Sequence, residues 1–134
     1  MNNIKIQINK YTTCFKALSD KTRLRIFYIL SKLKKELAVC EIMDAIAESQ
    51  YNVSRHLQIL KHAGLIKENK KGRWVLYSIN EDNDLASQLV QTVLALKPAY
   101  FKDDMQRAKA RLKKRCKGKI VFCLNQPLKE KFDE

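Results

Sequence analysis

Residues 49–64, Ser-Gln-Tyr-Asn-Val-Ser-Arg-His-Leu-Gln-Ile-Leu-Lys-His-Ala-Gly, constrain this chain more than any other stretch. Ser49 suits a helix N-cap, where its side-chain oxygen accepts one of the first free backbone N–H groups. Gly64 suits the other end, because a left-handed residue costs glycine nothing sterically. Between them Val53, Leu57 and Leu60 recur at helical spacing and form an apolar stripe for burial. Gln50, Ser54, Gln58 and Lys61 recur on the other side, with Arg55 and His56 beside them. A helix of roughly four turns with so donor-rich a face can enter a DNA major groove and read base edges. An ordinary solvated helix face has the same pattern, so the flanking segments must decide.

Bulk composition narrows the partner. The 134 residues carry 27 Lys and Arg against 14 Asp and Glu, a net charge of +13. In a soluble chain such an excess favours a polyanion, nucleic acid first. No apolar run approaches the roughly 18–20 residues of a membrane span, and the start lacks a signal-peptide core. The expected compartment is the cytoplasm. The four cysteines, Cys14, Cys40, Cys116 and Cys123, are scattered and form no CxxC pair, which argues against a disulfide scaffold or a structural zinc site.

In chain order, Met1–Lys10 is a lead-in whose alternating Ile4, Ile6 and Ile8 fit a small strand or an ordered arm. Tyr11–Leu18 reads as a first helix. Ser19-Asp20 then caps a second, about Lys21–Lys34, whose apolar arc is wide enough for the core. A third is expected over Leu37–Glu48, with Glu41, Asp44 and Glu48 on one face, apolar residues opposite and Cys40 at the edge of the apolar arc. The break at Glu48-Ser49 is short, so this helix and the next form a helix-turn-helix. After Gly64 the period becomes that of strands, Leu65–Asn69 and Trp74–Ile79, bridged by Lys70-Lys71-Gly72-Arg73. A basic hairpin in that place is a wing for phosphates or the minor groove.

Asn80–Asn83 supplies caps for a further helix, in which Leu85, Leu89, Val93 and Leu96 form an apolar face that we assign to a partner subunit. Pro98 breaks that helix, and another is expected from Lys102 to Cys116, ended by Gly118. Eight basic and no acidic residues lie between Arg107 and Lys119. They suit a solvated face, a phosphate contact, or a screen that lowers a thiol pKa. Ile120–Leu124 is a short apolar run that wants burial, and Gln126–Glu134 a frayed tail. The expected fold class is mainly α with a small antiparallel β-hairpin, a homodimeric winged helix-turn-helix. Residues 1–98 would bind DNA and dimerise; residues 99–134 would form a basic C-terminal helix and tail, a candidate sensing extension.

From Phe15 to Ile79 the chain resembles the ArsR/SmtB family of winged-helix, metal-responsive repressors. The resemblance rests on Phe15–Ile26 (FKALSDKTRLRI), Glu36–Ile42 (ELAVCEI), Val53–Lys61 (VSRHLQILK), Gly64–Ile66 (GLI) and Gly72–Tyr77 (GRWVLY). It implies a homodimer, joined through its first and last helices, that sits on an operator and leaves when a metal or metalloid binds. Two departures matter. The arsenic-responsive branch carries three cysteines in the third helix, where this chain has Ala38, Cys40 and Met43. The zinc-responsive branch places Asp and His ligands on the dimer helix, whereas both histidines here, His56 and His62, lie in the reading helix.

The expected DNA contacts are Gln50, Asn52, Ser54, Arg55, His56, Gln58 and Lys61 on that helix, with Lys70, Lys71 and Arg73 on the wing. No constitutive cofactor is expected. A trivalent As(III) or Sb(III) inducer is soft and wants three thiolates. Cys116 and Cys123 are the expected pair, with Cys40, or alternatively Cys14, as third ligand. The rivals are a reversible Cys116–Cys123 disulfide that senses oxidants, and a ligand-independent architectural DNA-binding protein. An enzyme is the poorest fit, since no nucleophile–base pair, paired carboxylates or glycine-rich phosphate loop is present.

Overall fold

A computed structural model describes residues 2–120. The elements are α1 (Asn2–Leu18), α2 (Lys21–Leu33), β1 (Leu37–Ala38), α3 (Val39–Ile46), α4 (Gln50–His62), β2 (Ile66–Lys71), β3 (Trp74–Ile79), α5 (Asp84–Leu94), a 3-10 turn (Pro98–Phe101) and α6 (Lys102–Leu112). The strands form one antiparallel sheet in the order β1-β3-β2. Leu37 pairs with Tyr77 on one side of β3, and Glu68 pairs with Tyr77 on the other. The fold is a winged helix-turn-helix. No helix among the described residues is long and apolar enough to cross a membrane.

The centre of the core is α2. Asp20 caps it by accepting the Arg23 backbone N–H at 3.1 Å, and Ile26, Phe27, Ile29 and Leu30 are buried. Tyr28 is buried as well, its ring stacked on Phe101 with centroids 3.9 Å apart. Phe101 and Ala108 thereby bring the 3-10 turn and α6 into the same core as the helix-turn-helix.

Several expectations need correction. Residues 2–10 form neither a strand nor an irregular arm. They begin α1, in which Ile4, Ile8, Tyr11 and Phe15 recur at helical spacing, and all four are exposed. The alternation of Ile4, Ile6 and Ile8 is too short to outweigh that longer period. Leu37 and Ala38 belong to β1, so α3 is shorter than expected. Glu41 sets its start, with Oε1 accepting the Ala38 N–H at 3.0 Å. The apolar face of α5 is also mostly used within the chain. Ala86, Leu89 and Val93 are buried in the core, while Leu96 stays outside. The free apolar surface therefore lies chiefly on α1.

Candidate nucleic-acid interface

Helix α4 is built as its sequence requires. Ser49 accepts the Asn52 N–H at 3.2 Å, and Val53, Leu57 and Leu60 are wholly buried. Burying such side chains stabilises by roughly 1.5–3 kcal/mol each, which fixes the rotation of the helix. Gly64 follows with φ +81°, and a Cβ there would meet Asn83 Nδ2 at 3.2 Å. Its carbonyl accepts from both Asn80 and Asn83 side chains, at 3.0 and 2.9 Å. One glycine thus locks the end of α4 to the loop before α5.

The outward face is rotated by about one residue from the expected stripe. Gln50, Tyr51, Arg55, Gln58, Ile59, Lys61 and His62 are exposed, whereas Asn52 and Ser54 are half-buried. Asn52 donates to Glu48 Oε1 at 3.2 Å. His56 lies inward at 6% exposure and so has no place on the outer surface. Tyr51, 75% exposed, was missed. Its spacing with Arg55, Gln58 and His62 was the available signal, overlooked because an aromatic residue reads first as core.

The C-terminal half of α4 is clasped to the hairpin. Gln58 Nε2 donates to the Tyr77 hydroxyl at 3.4 Å, Tyr77 donates to Glu68 at 3.0 Å, and Lys61 pairs with Glu68 at 2.5 Å. Burial, and then the Glu68 carboxylate, push the Tyr77 hydroxyl up to about 12, so it stays a donor. Hydrogen bonds from Lys61 and Tyr77 hold Glu68 below its usual range, so the clasp stays charged at neutral pH. Gln58 and Lys61 therefore join helix to wing as well as facing outward.

The strands extend to Lys71 and from Trp74, which leaves Gly72-Arg73 as the two-residue turn. Gly72 has φ +60°, the left-handed geometry such a tight hairpin turn requires. Lys70 and Arg73 are exposed, and the Arg73 guanidinium lies 5.3 Å from the Trp74 ring centroid. Lys71 is turned back to Glu36 at 2.8 Å, and Asn69 donates to the same carboxylate at 3.1 Å. These two bonds hold Glu36 below its usual range. They also fix the wing to the segment entering β1.

The basic C-terminal segment divides by residue type. Lys109, Lys113, Lys114, Lys117 and Lys119 are exposed, while the arginines face α3. Arg115 bonds Glu41 at 2.6 and 2.7 Å and the Glu36 carbonyl at 2.8 Å. Arg111 Nε lies 2.9 Å from Asp44 Oδ2, within ion-pair range but off line for a hydrogen bond. Arg107 bonds the Ala45 carbonyl and Asp104, both at 2.8 Å. From α2, Arg25 grips Asp104 at 2.8 and 2.9 Å and the Ile46 carbonyl at 2.6 Å. Cations on the last carbonyls of α3 satisfy groups the helix leaves open. The acidic face of α3 is thus the seat of α6. Helix α6 also stops at Leu112, and Cys116 pairs with Lys119 in a small turn.

The cysteines are dispersed. Cys14 is buried in α1 and its thiol donates to the Ala63 carbonyl at 3.2 Å. Burial pushes that thiol up, toward the neutral form. Cys40 is buried and disulfide-bonded, with Arg111 Nη2 at 3.9 Å from its sulfur. Cys116 is a free, exposed thiol, so the Cys116–Cys123 disulfide of the rival oxidant-sensing reading is not formed in this structure. Cys123 lies outside the described residues. Among the described residues no three His, Cys, Asp or Glu side chains converge to hold a metal ion.

Comparison with known proteins agrees with this geometry. Residues 20–68 match the family model described as bacterial regulatory protein, arsR family. The cadmium resistance transcriptional regulatory protein CadC homologue of Staphylococcus aureus is 44% identical over 77 residues, 58% of this chain and 61% of that protein. The arsenic resistance transcriptional regulator ArsR2 of Pseudomonas putida is 35% identical over 96 residues, 71% of this chain and 83% of that protein. The homodimeric winged helix-turn-helix DNA-binding domain of a Mycobacterium bovis protein superposes with a TM-score of 0.60 at 26% identity, covering 69% of this chain and 82% of that one. These relatives and this fold are those of DNA-binding transcriptional regulators. The chain belongs to the ArsR family. It spans less than two thirds of the first of these relatives.

Proposed function

We propose that this protein is a dimeric repressor that binds an operator sequence and releases it through thiol chemistry centred on Cys40. The observation that carries DNA reading is the exposed face of α4, clasped to the wing through Gln58–Tyr77 and Lys61–Glu68. Gln50, Tyr51 and Arg55 would meet bases or nearby phosphates, and Lys70 and Arg73 would grip phosphates. A good bidentate side-chain–base pair supplies about 1–3 kcal/mol of discrimination. Dimerisation is supported by the exposed Ile4, Ile8, Tyr11 and Phe15 of α1, since a second copy would cover that stripe. Two copies present two reading helices to two half-sites.

The inducer reading rests on the relatives' names, cadmium and arsenic resistance regulators, and on Cys40, the one thiol left in the α3 motif. Cys14, Cys40 and Cys116 do not converge among the described residues, so an As(III) or Sb(III) site would need Cys40 joined by Cys116 and Cys123. The disulfide at Cys40 favours a second reading, in which an oxidant removes two electrons and two protons from a thiol pair. Releasing DNA tenfold requires only about 1.4 kcal/mol of coupling on either reading.

The test begins with selection of an operator from random DNA. Release is then titrated with arsenite, antimonite, cadmium, zinc and peroxide, using Cys14→Ser, Cys40→Ser, Cys116→Ser and Cys123→Ser proteins. The expected result is loss of release in Cys40→Ser. Arsenite release that also needs Cys116 and Cys123 selects the metalloid reading, and peroxide release reversed by dithiothreitol selects oxidation. Normal release by Cys40→Ser in every arm refutes both.

A further inference from the structure

Among the histidines of α4, His56 has a setting that the reading above does not use. It is 6% exposed, and two arginines approach its ring from opposite sides. Arg23 Nη1 of α2 lies 3.0 Å from Nδ1, and Arg55 Nη2 of α4 lies 3.5 Å from Nε2. A guanidinium only donates. A neutral imidazole has one acceptor nitrogen, so His56 can serve one arginine and must present an N–H to the other. The shorter contact makes Nδ1 the acceptor for Arg23 and puts the proton on Nε2, facing Arg55.

Arg23 extends this bond to another helix. Its Nε donates to the Ala17 carbonyl at 2.5 Å and its Nη2 reaches the Lys16 carbonyl at 3.5 Å, both at the C-terminal end of α1. The reading helix is thereby tied through one imidazole and one guanidinium to the helix whose apolar stripe faces outward. The charged groups facing His56 are Arg23 and Asp20 at the start of α2, Arg55 on α4, and Glu48 in the turn before α4. Asp20 Oδ2 is 3.9 Å from Nδ1.

We propose that His56 is a positioning residue for operator recognition: as a neutral Nε2–H imidazole it holds Arg23 on α1 and leaves the donors of Arg55 to the DNA. The role of Arg55 rests on the operator reading above; the His56–Arg23 bond does not. Protonation puts a second N–H at Nδ1, removes the acceptor of Arg23 and sets three cations side by side, with Asp20 left to recruit the imidazolium. Burial holds His56 below the ordinary histidine value; Arg55 and Arg23 add to this, and Asp20 and Glu48 oppose it. The neutral form therefore predominates at neutral pH and gives way only as pH falls below about 6.5, the unperturbed value.

Two measurements on the full chain test this. Long-range proton–nitrogen NMR at pH 7.5 reads the tautomer. It should show His56 protonated at Nε2 only, and an Nδ1–H or doubly protonated ring overturns the proposal. Affinity for the selected operator and for random DNA is then measured from pH 7.5 to 5.5 in wild type, His56→Gln and His62→Gln. In the His56→Gln protein the side-chain amide oxygen can still accept from Arg23 but does not titrate. Wild type and His62→Gln should lose operator preference on acidification, up to about tenfold per protomer for a group titrating at or below about 6.5. His56→Gln should stay within about threefold at both ends. An equal loss in His56→Gln overturns the proposal. If wild type prefers no sequence at pH 7.5, the operator reading fails together with the Arg55 role, and the NMR result alone then decides the His56–Arg23 bond.

Discussion

The arginines of α6 and those of the α4–wing surface carry the same charge and meet opposite fates. Arg107, Arg111 and Arg115 turn onto α3, where Asp44, Glu41 and the carbonyl of Ala45 receive them, and Asp104 of α6 itself also takes Arg107. Arg55 and Arg73 stay exposed on α4 and the hairpin turn, and Lys70 stays exposed beside them. The planar guanidinium forks suit carboxylates held in fixed places, whereas the flexible lysine ammoniums of α6 remain in water. The +13 net charge therefore overstates the surface available to DNA. The first group builds the scaffold, and the second lies on the exposed surface of α4 and the wing.

The largest expected effect lies on the scaffold side. Asp104→Ala leaves Arg25 and Arg107 beside α3 without their shared carboxylate and should cost about 3 kcal/mol in urea unfolding, since losing one member of a buried pair strands the rest. A cost under about 0.5 kcal/mol would reduce this network to ordinary surface pairs. On the reading side, Arg55→Ala should weaken binding to the selected operator by about 1–3 kcal/mol. Folding should shift by less than about 0.5 kcal/mol, as for a surface substitution. If the loss is equal on random DNA, Arg55 is only a phosphate contact.

Smaller effects separate the two regions further. Lys70→Ala with Arg73→Ala removes two wing cations per protomer, four per dimer, and should lower the salt slope of binding by about 4, with base preference kept. Lys109→Ala with Lys113→Ala should leave that slope within about 0.3 of wild type, because those lysines stand on the scaffold side. A drop comparable to the wing variant would place DNA on α6 as well.

What could be read from sequence follows from where periodicity is strong. Helix α4, its Ser49 cap, Gly64 and the β2–β3 hairpin each carried a local signal that tertiary structure did not overrule. The lead-in failed because Ile4, Ile6 and Ile8 satisfy a two-residue period over a short span, while the helical stripe needs Tyr11 and Phe15 to show itself. Glu41 and Asp44 formed an acidic face with no visible partner, since Arg111 and Arg115 lie far along the chain. Nothing local marks such a pairing. The inward turn of His56 had a faint signal: it lies one step from Leu57, in the apolar stripe with Val53 and Leu60. Polarity outweighed position in that reading. Leu89 and Val93 were assigned to a partner subunit because the core was counted as complete, yet α2 had an apolar side still open for them.

The division of charge can be measured without substituting any residue. Lysines of the wild-type chain are acetylated with and without a saturating amount of selected operator, and the sites are quantified by mass spectrometry. The account predicts strong protection of Lys70, with Lys109, Lys113 and Lys114 as reactive as in the free protein. Protection of the α6 lysines with Lys70 still reactive would contradict it.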